Sequence, residues 1–194
     1  PVGVAQAIDR HRPDAVVNAA AYTAVDDAEA RPELADAINH RAVDTLARLA
    51  AHRNCWLVHY CSDYVFDGSK GEPYAESDPT APLSAYGRSK LAGEAATAEA
   101  NPRHFVVRSS WLFGLDGPNF VETMLRIAGE QPEVIVVTDQ VGCPTYTGHL
   151  AQALALLAES EEYGIHHIAG SGSCSWYEFA QEIFDQEAVE CRVM

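Results

Sequence analysis

Apolar residues recur along the chain in two alternating rhythms. Short apolar runs that close on small or polar residues occur at "PDAVVNAAAY" (13–22), "CWLVHYCSDYVF" (55–66), "HFVVRSSWLFG" (104–114), "EVIVVTD" (133–139) and "GIHHIAG" (164–170). Runs of this length read as strands, and those at 13–22 and 55–66 read as buried. Between them, apolar positions fall three and four apart. The segment 32–54 carries Leu34, Ile38, Ala42, Leu46 and Leu49 as one helical stripe, and 119–130 carries Phe120, Met124 and Ile127. Segments 86–100 and 147–160 also read as helical, and 175–186 opens on Ser175 with Glu178 in the capping-box position.

Strand and helix alternate throughout, which predicts an α/β fold: a doubly wound parallel sheet with right-handed crossovers. Ligands of such sheets gather beyond the carboxyl ends of the strands. Three predicted strands close on "NAAAYT", "CSDY" and "RSSW", so these ends mark the rim of one pocket. Residues 67–87, dense in Gly, Pro, Ser and Asp, read as a surface loop whose length suits a functional role.

Composition narrows the partners. Thirteen basic against 28 acidic residues give a formal charge of −15, which disfavours nucleic acid and anionic membranes. No apolar run approaches the ~18 residues of a membrane helix, and no secretory signal opens the sequence, so a cytoplasmic location is expected. Acid excess with scarce lysine suits a high-salt cytoplasm and an ordinary acidic protein alike. The five cysteines lack C-x-x-C spacing and read as buried free thiols. The eight histidines lack H-E-x-x-H, and His166 and His167, adjacent in a strand, point to opposite faces. No metal site is predicted.

The chain has two lysines, Lys70 and Lys90, and Lys90 follows Tyr86 by one helical turn in "SAYGRSKLAGEAA" (84–96). Positions i and i+4 share a helix face. An ammonium near a phenol favours the phenolate. At ~4 Å and an effective dielectric of ~20 the attraction is ~4 kcal/mol, up to ~3 pKa units before desolvation opposes it. The pair is thereby expected to bring Tyr86 toward neutral pH as an acid–base group. A lysine also suits the place better than an arginine, as a compact charge able to reach ribose hydroxyls. Alone, the pair is as readily a tyrosine packed on a lysine stem. Ser62, at a strand end upstream, fits the third member of a carbonyl-reducing triad, or else a loop-capping serine. Trp111, after another strand end, reads as core or as an aromatic wall for a sugar.

Together, "PDAVVNAAAYTAVDDAE" (13–29), "VHYCSDYVFDG" (58–68), "PYAESDPTAPLSAYGRSKLAGE" (73–94), "VRSSWLFG" (107–114), "GPNFVETMLRIA" (117–128), "TDQVGCPT" (138–145) and "SWYEFAQEIF" (175–184) resemble the dTDP-4-dehydrorhamnose reductase family. That family belongs to the sugar-nucleotide branch of the extended short-chain dehydrogenases/reductases. The resemblance implies a Rossmann-like fold with Ser62, Tyr86 and Lys90 as catalytic triad. It implies Ala21, Tyr22, Thr23, Tyr86 and Lys90 against the cofactor, NADPH or NADH, and Ser62, Asp63 and Trp111 against the sugar nucleotide. The reaction implied is reduction of dTDP-4-dehydro-6-deoxy-L-mannose to dTDP-L-rhamnose. It allows a homodimer and, in some members, Mg2+ at a subunit contact, which no motif here places. Cys61-Ser62-Asp63 departs from the family's usual Ser-Thr-Asp by keeping a hydroxyl on a smaller side chain.

The implied division is a partial dinucleotide-binding domain over 1–114 and a substrate-binding region over 115–194, with 138–160 packing back on the sheet. The family's first βαβ part, with its G-x-x-G-x-x-G turn, has no counterpart here. The 194 residues are therefore expected to be N-terminally truncated, weakly stable alone and unable to grip a dinucleotide. Two other readings stay open: an epimerase or dehydratase of the same superfamily, and a non-catalytic subunit resembling the regulatory subunit of methionine adenosyltransferase.

Overall fold

The computed structural model describes residues 2–194, which fall into two compact units. The first holds residues up to Ser109 together with Leu157–His167; the second holds Ser110–Leu156 and Ile168–Met194.

The first unit is built on four parallel strands, β1 (Ala15–Asn18), β2 (Trp56–Ser62), β3 (His104–Ser109) and β4 (Gly164–His167), in the order β1-β2-β3-β4. In this register Ser62 lies opposite Ser109, and Cys61 opposite Arg108. The inner strands bury Leu57, Val58, Phe105, Val106 and Val107 completely, as near-continuous apolar runs in a parallel sheet should. The strand expected over 13–22 is Ala15–Asn18; among the described residues it has a ladder partner on one side only, and Val17 is 53% exposed.

Helix α1 (Val2–His11) precedes β1, and its Ile8 packs with Ala47, Ala50, Cys55 and Leu57. Helix α2 (Val25–Ala30) leads into α3 (Pro32–Asp36), which runs through a π-helical turn, Ala37–Arg41, into α4 (Ala42–His52). The segment is helical as its period predicts, but the face is one residue over. Ala35, Asn39, Val43, Ala47 and Ala50 are buried, whereas Leu34 is 39% exposed and Ala42 faces out. The reason is proximity. Helix α5 (Ala85–Ala100) packs against this segment, and only the stripe of smaller side chains lets the backbones approach.

Two glycines of α5 measure that approach. A Cβ on Gly93 would lie 2.0 Å from the Asn39 carbonyl oxygen, and one on Gly87 would lie 2.2 Å from that of Tyr64. Ser84 caps the helix by accepting from Gly87 N–H at 3.0 Å, and Glu29 accepts from Ala85 N–H at 2.6 Å. Farther along α5, Glu94 meets Arg108 of β3 in a bidentate pair at 2.5 and 2.9 Å, both side chains buried. The long loop before α5 is held down throughout. Lys70 Nζ donates to Asp78 at 2.6 Å, Tyr74 stacks on Phe66 at 4.1 Å, and Glu76 accepts from His167 N–H at 2.9 Å.

The second unit joins helix α6 (Phe120–Glu130), helix α7 (Thr147–Ala158), whose last residues belong to the first unit, and helix α8 (Trp176–Gln186). Its strands are two residues long. Leu112–Phe113 pairs with Thr145–Tyr146, Val141–Gly142 with Cys174–Ser175, and Glu133–Val134 with Arg192–Val193. The strand expected over 133–139 is therefore mostly loop, and the one over 104–114 breaks after Ser109. The break falls at Trp111, whose φ of 47° ends a ladder. Met124 of α6 and Ala180, Ile183 and Phe184 of α8 form this unit's core. The capping box at Ser175 and Glu178 is complete.

Gly93→Ala and Gly87→Ala are expected to destabilise the protein by roughly 1–3 kcal/mol or more, because the obstructing atoms are backbone. Gly129→Ala, in α6 with nothing within 4 Å, should instead stabilise by about 0.5–1 kcal/mol. Urea midpoints of the three variants check this.

Candidate functional site

β2 delivers the site's first side chain. Ser62 ends the strand in extended backbone and caps the 3-10 turn Asp63–Val65 by accepting from Tyr64 N–H at 3.2 Å. Its hydroxyl donates to Asp63 Oδ1 at 2.9 Å. The Ser62 hydroxyl, near the Tyr86 phenol in the first turn of α5, draws the phenol's pKa down. The same phenol ring packs edge-on against Tyr64, centroids 5.4 Å apart.

Burial nevertheless dominates. Tyr86 is 8% exposed, and desolvation pushes its pKa up to about 12. This corrects the expectation of a Tyr86 drawn toward neutrality by Lys90. Lys90 shares the helix but is itself 2% exposed, and burial pushes its pKa down. Its Nζ donates to the Tyr60 carbonyl at 2.6 Å. Asp63 is raised by burial, offset in part by Ser62 and two backbone N–H groups. Ser62, Asp63, Tyr86 and Lys90 thus converge where α5 starts over the end of β2.

The segment after β1 is fastened to the same helices. Asn39, in the π turn and 1% exposed, accepts from Tyr22 N–H at 2.7 Å and donates to the Tyr22 carbonyl and to Ser89 Oγ, both at 3.0 Å. The Tyr22 hydroxyl donates to Asp27, and its ring packs with Ala28, Ala35, Ala85 and Tyr86. Ala21, Tyr22 and Thr23 therefore border Tyr86 through Tyr22. π-Helical turns are frequent at functional sites. Sequence reasoning passed over Asn39 as one more residue of a helix; the signal was a polar side chain on the stripe that proves buried.

His59 was also missed. It is 1% exposed, and its Nδ1 faces Asn18 Nδ2 at 3.2 Å, so Nδ1 accepts and Nε2 carries the proton. Nε2 lies at the Gly93 contact without a hydrogen-bond partner among the described residues. Burial and the nearby Lys90 ammonium push its pKa down to about 3.

In the second unit, Trp111 stacks on Trp176 with centroids 3.5 Å apart and planes 8° from parallel. Gly142 presses on the same indole, a Cβ there reaching Cε2 at 2.4 Å. Trp111 is thus a fixed aromatic held in left-handed backbone, a strain that clusters at functional sites. Among the described residues no three His, Cys, Asp or Glu side chains gather as a metal site, and no helix is long and apolar enough to cross a membrane.

The parallel sheet is Rossmann-like, with a serine, a tyrosine and a lysine gathered at one strand end. The profile of the RmlD substrate binding domain matches residues 1–193, and the chain belongs to that family. It is 42% identical over 191 residues to the dTDP-4-dehydrorhamnose reductase of Salmonella typhimurium, covering 96% of this chain and 64% of the relative. It is 47% identical over 186 residues to a probable dTDP-4,6-dihydroxy-2-methyloxan-3-one 4-ketoreductase of Streptomyces antibioticus, covering 95% and 63%. The crystal structure of the dTDP-4-dehydrorhamnose reductase of Bacillus anthracis in complex with NADP superposes with a TM-score of 0.98 at 40% identity, covering 100% of this chain and 69% of that one. The chain thus spans a little under two thirds of the length of these curated relatives.

His59 predicts an acid-side loss of stability. The unfolded imidazole takes its proton near pH 6.5, the folded one only near 3. Between those values the unfolded chain binds the extra proton, so stability falls as the pH drops from 6.5 toward 3. At ~1.4 kcal/mol per unit the loss reaches a few kcal/mol. Urea midpoints at pH 7 and pH 4.5 should fall further for the wild type than for His59→Gln.

Proposed function

We propose that the protein containing this chain reduces the C4 ketone of dTDP-4-dehydro-6-deoxy-L-mannose, giving dTDP-L-rhamnose at the expense of NADPH or NADH. The observation that carries this reading is the Ser62 hydroxyl beside the buried Tyr86 phenol at the carboxyl end of β2, in a chain 42% identical to a reductase of that name. The residues present suit a dinucleotide. Lys90 commits one of its three donors to Tyr60, leaving two that would hold ribose hydroxyls, and Tyr22 is pinned beside Tyr86 near the carboxyl ends of the strands, where such sheets bind their ligands.

When bound, the cofactor supplies the hydride. The rest falls to the chain. Ser62 turns its hydroxyl from Asp63 onto the ketone oxygen and polarises it. Tyr86 delivers its proton to that oxygen as negative charge builds there. A phenol with a pKa of about 12 is fully protonated at neutral pH, which is the form an acid needs. A sugar alkoxide is more basic still, its conjugate acid lying nearer the ~15.7 of water, so the transfer runs downhill without a lowered pKa. Lys90 holds the ribose and, from the helix face shared with Tyr86, steadies any charge left on the phenol. Asp63 orients Ser62 and reaches the sugar nucleotide. A homodimer working in the cytoplasm fits this role.

Tyr86→Phe in the full-length protein should cut kcat for the keto sugar by roughly 10²–10⁴-fold while leaving NADPH binding near the wild type. Wild-type kcat for reduction should hold level from pH 7 to pH 9, because the acid keeps its proton there. Full turnover by the Phe variant in a coupled NADPH assay would overturn the assignment.

A further inference from the structure

We propose that Ser109 is a second hydroxyl of the site and takes the sugar hydroxyl next to the carbonyl that Ser62 polarises; the proposal rests on the reductase reading above and deepens it. Ser109 ends β3 and is the ladder partner of Ser62 on β2. In-register residues of adjacent strands project from the same face, and the strands run about 4.8 Å apart. Two hydroxyl-bearing residues therefore stand side by side at the carboxyl ends of two central strands, where open α/β sheets bind their ligands.

The two serines differ in what they already hold. The Ser62 hydroxyl has Asp63 and the Tyr64 N–H. Ser109 Oγ is buried and has no partner among the described residues. A buried hydroxyl left unpaired is costly, and each one in a folded protein asks for a reason. The other such atom, His59 Nε2, is sealed at the Gly93 contact between β2 and α5, where packing explains it. Ser109 Oγ, equally buried, sits at a strand end. A hydroxyl both donates and accepts, which matches an alcohol of a sugar. The oxygens on neighbouring carbons of a keto sugar diverge, so donors one strand apart can each take one.

The test uses the full-length protein, with NADPH and the dTDP-linked 4-keto sugar as probes. Ser109→Ala should leave the melting temperature unchanged or raise it, since the variant removes an unpaired group. NADPH affinity should stay within about 2-fold, and kcat/KM for the keto sugar should fall about 10-fold, mostly through KM. Ser109→Thr, which keeps the hydroxyl, should recover part of the loss. Unchanged kinetics would overturn the proposal, as would a fall in NADPH affinity that matches the fall in kcat/KM, because the hydroxyl would then serve the cofactor. A lower melting temperature with intact kinetics would also overturn it. A wild-type protein that turns over no keto sugar would sink the reductase reading itself, a result distinct from an inert Ser109.

Discussion

The close approach of α5 to the backbone around it is the constraint on which the site depends. Gly93 lies on the Asn39 carbonyl and Gly87 on that of Tyr64, at distances no side chain would permit. The approach brings the start of α5 over the end of β2 and buries Tyr86 and Lys90 there. The partner segment meets it with Ala35, Val43 and Ala47 rather than with its leucines. Small residues on both sides give up bulk and gain a short distance between elements, and that distance places Ser62 beside Tyr86.

The same closeness decides the electrostatics. Two ionisable groups one helical turn apart would be expected to stabilise each other's charges. Here both are buried deeply enough that desolvation favours the neutral form of each, raising Tyr86 and lowering Lys90. Lys90 turns to a carbonyl, the partner a buried ammonium needs most. The phenol is left as a weak acid with its proton in place, which suits donation to an alkoxide better than an ionised tyrosine would.

Much of the architecture was legible because alternating strands and helices leave strong periodic marks. The capping box at Ser175 and the α6 stripe follow from spacing and residue type, whereas Ser62 was joined to Tyr86 by the family resemblance. What was not legible depended on neighbours distant in sequence. The helix over 32–52 buries the stripe next to its most apolar one, because α5 lies too near for leucine. The direction of the Tyr86 shift needed the depth of burial, and the role of Asn39 needed Tyr22, 17 residues upstream, to be folded against it. Two-residue strands such as Glu133–Val134 carry too few positions to show a period.

The depth of Tyr86 can be measured directly. Titration of the full-length protein by phenolate absorbance, subtracting Tyr86→Phe from the wild type, isolates this one group among eight tyrosines. A Tyr86 that stays protonated past pH 10, in line with a pKa of about 12, is what burial beside Ser62 requires. Ionisation near pH 7 would contradict it and return Lys90 to the role of the charge that tunes the phenol.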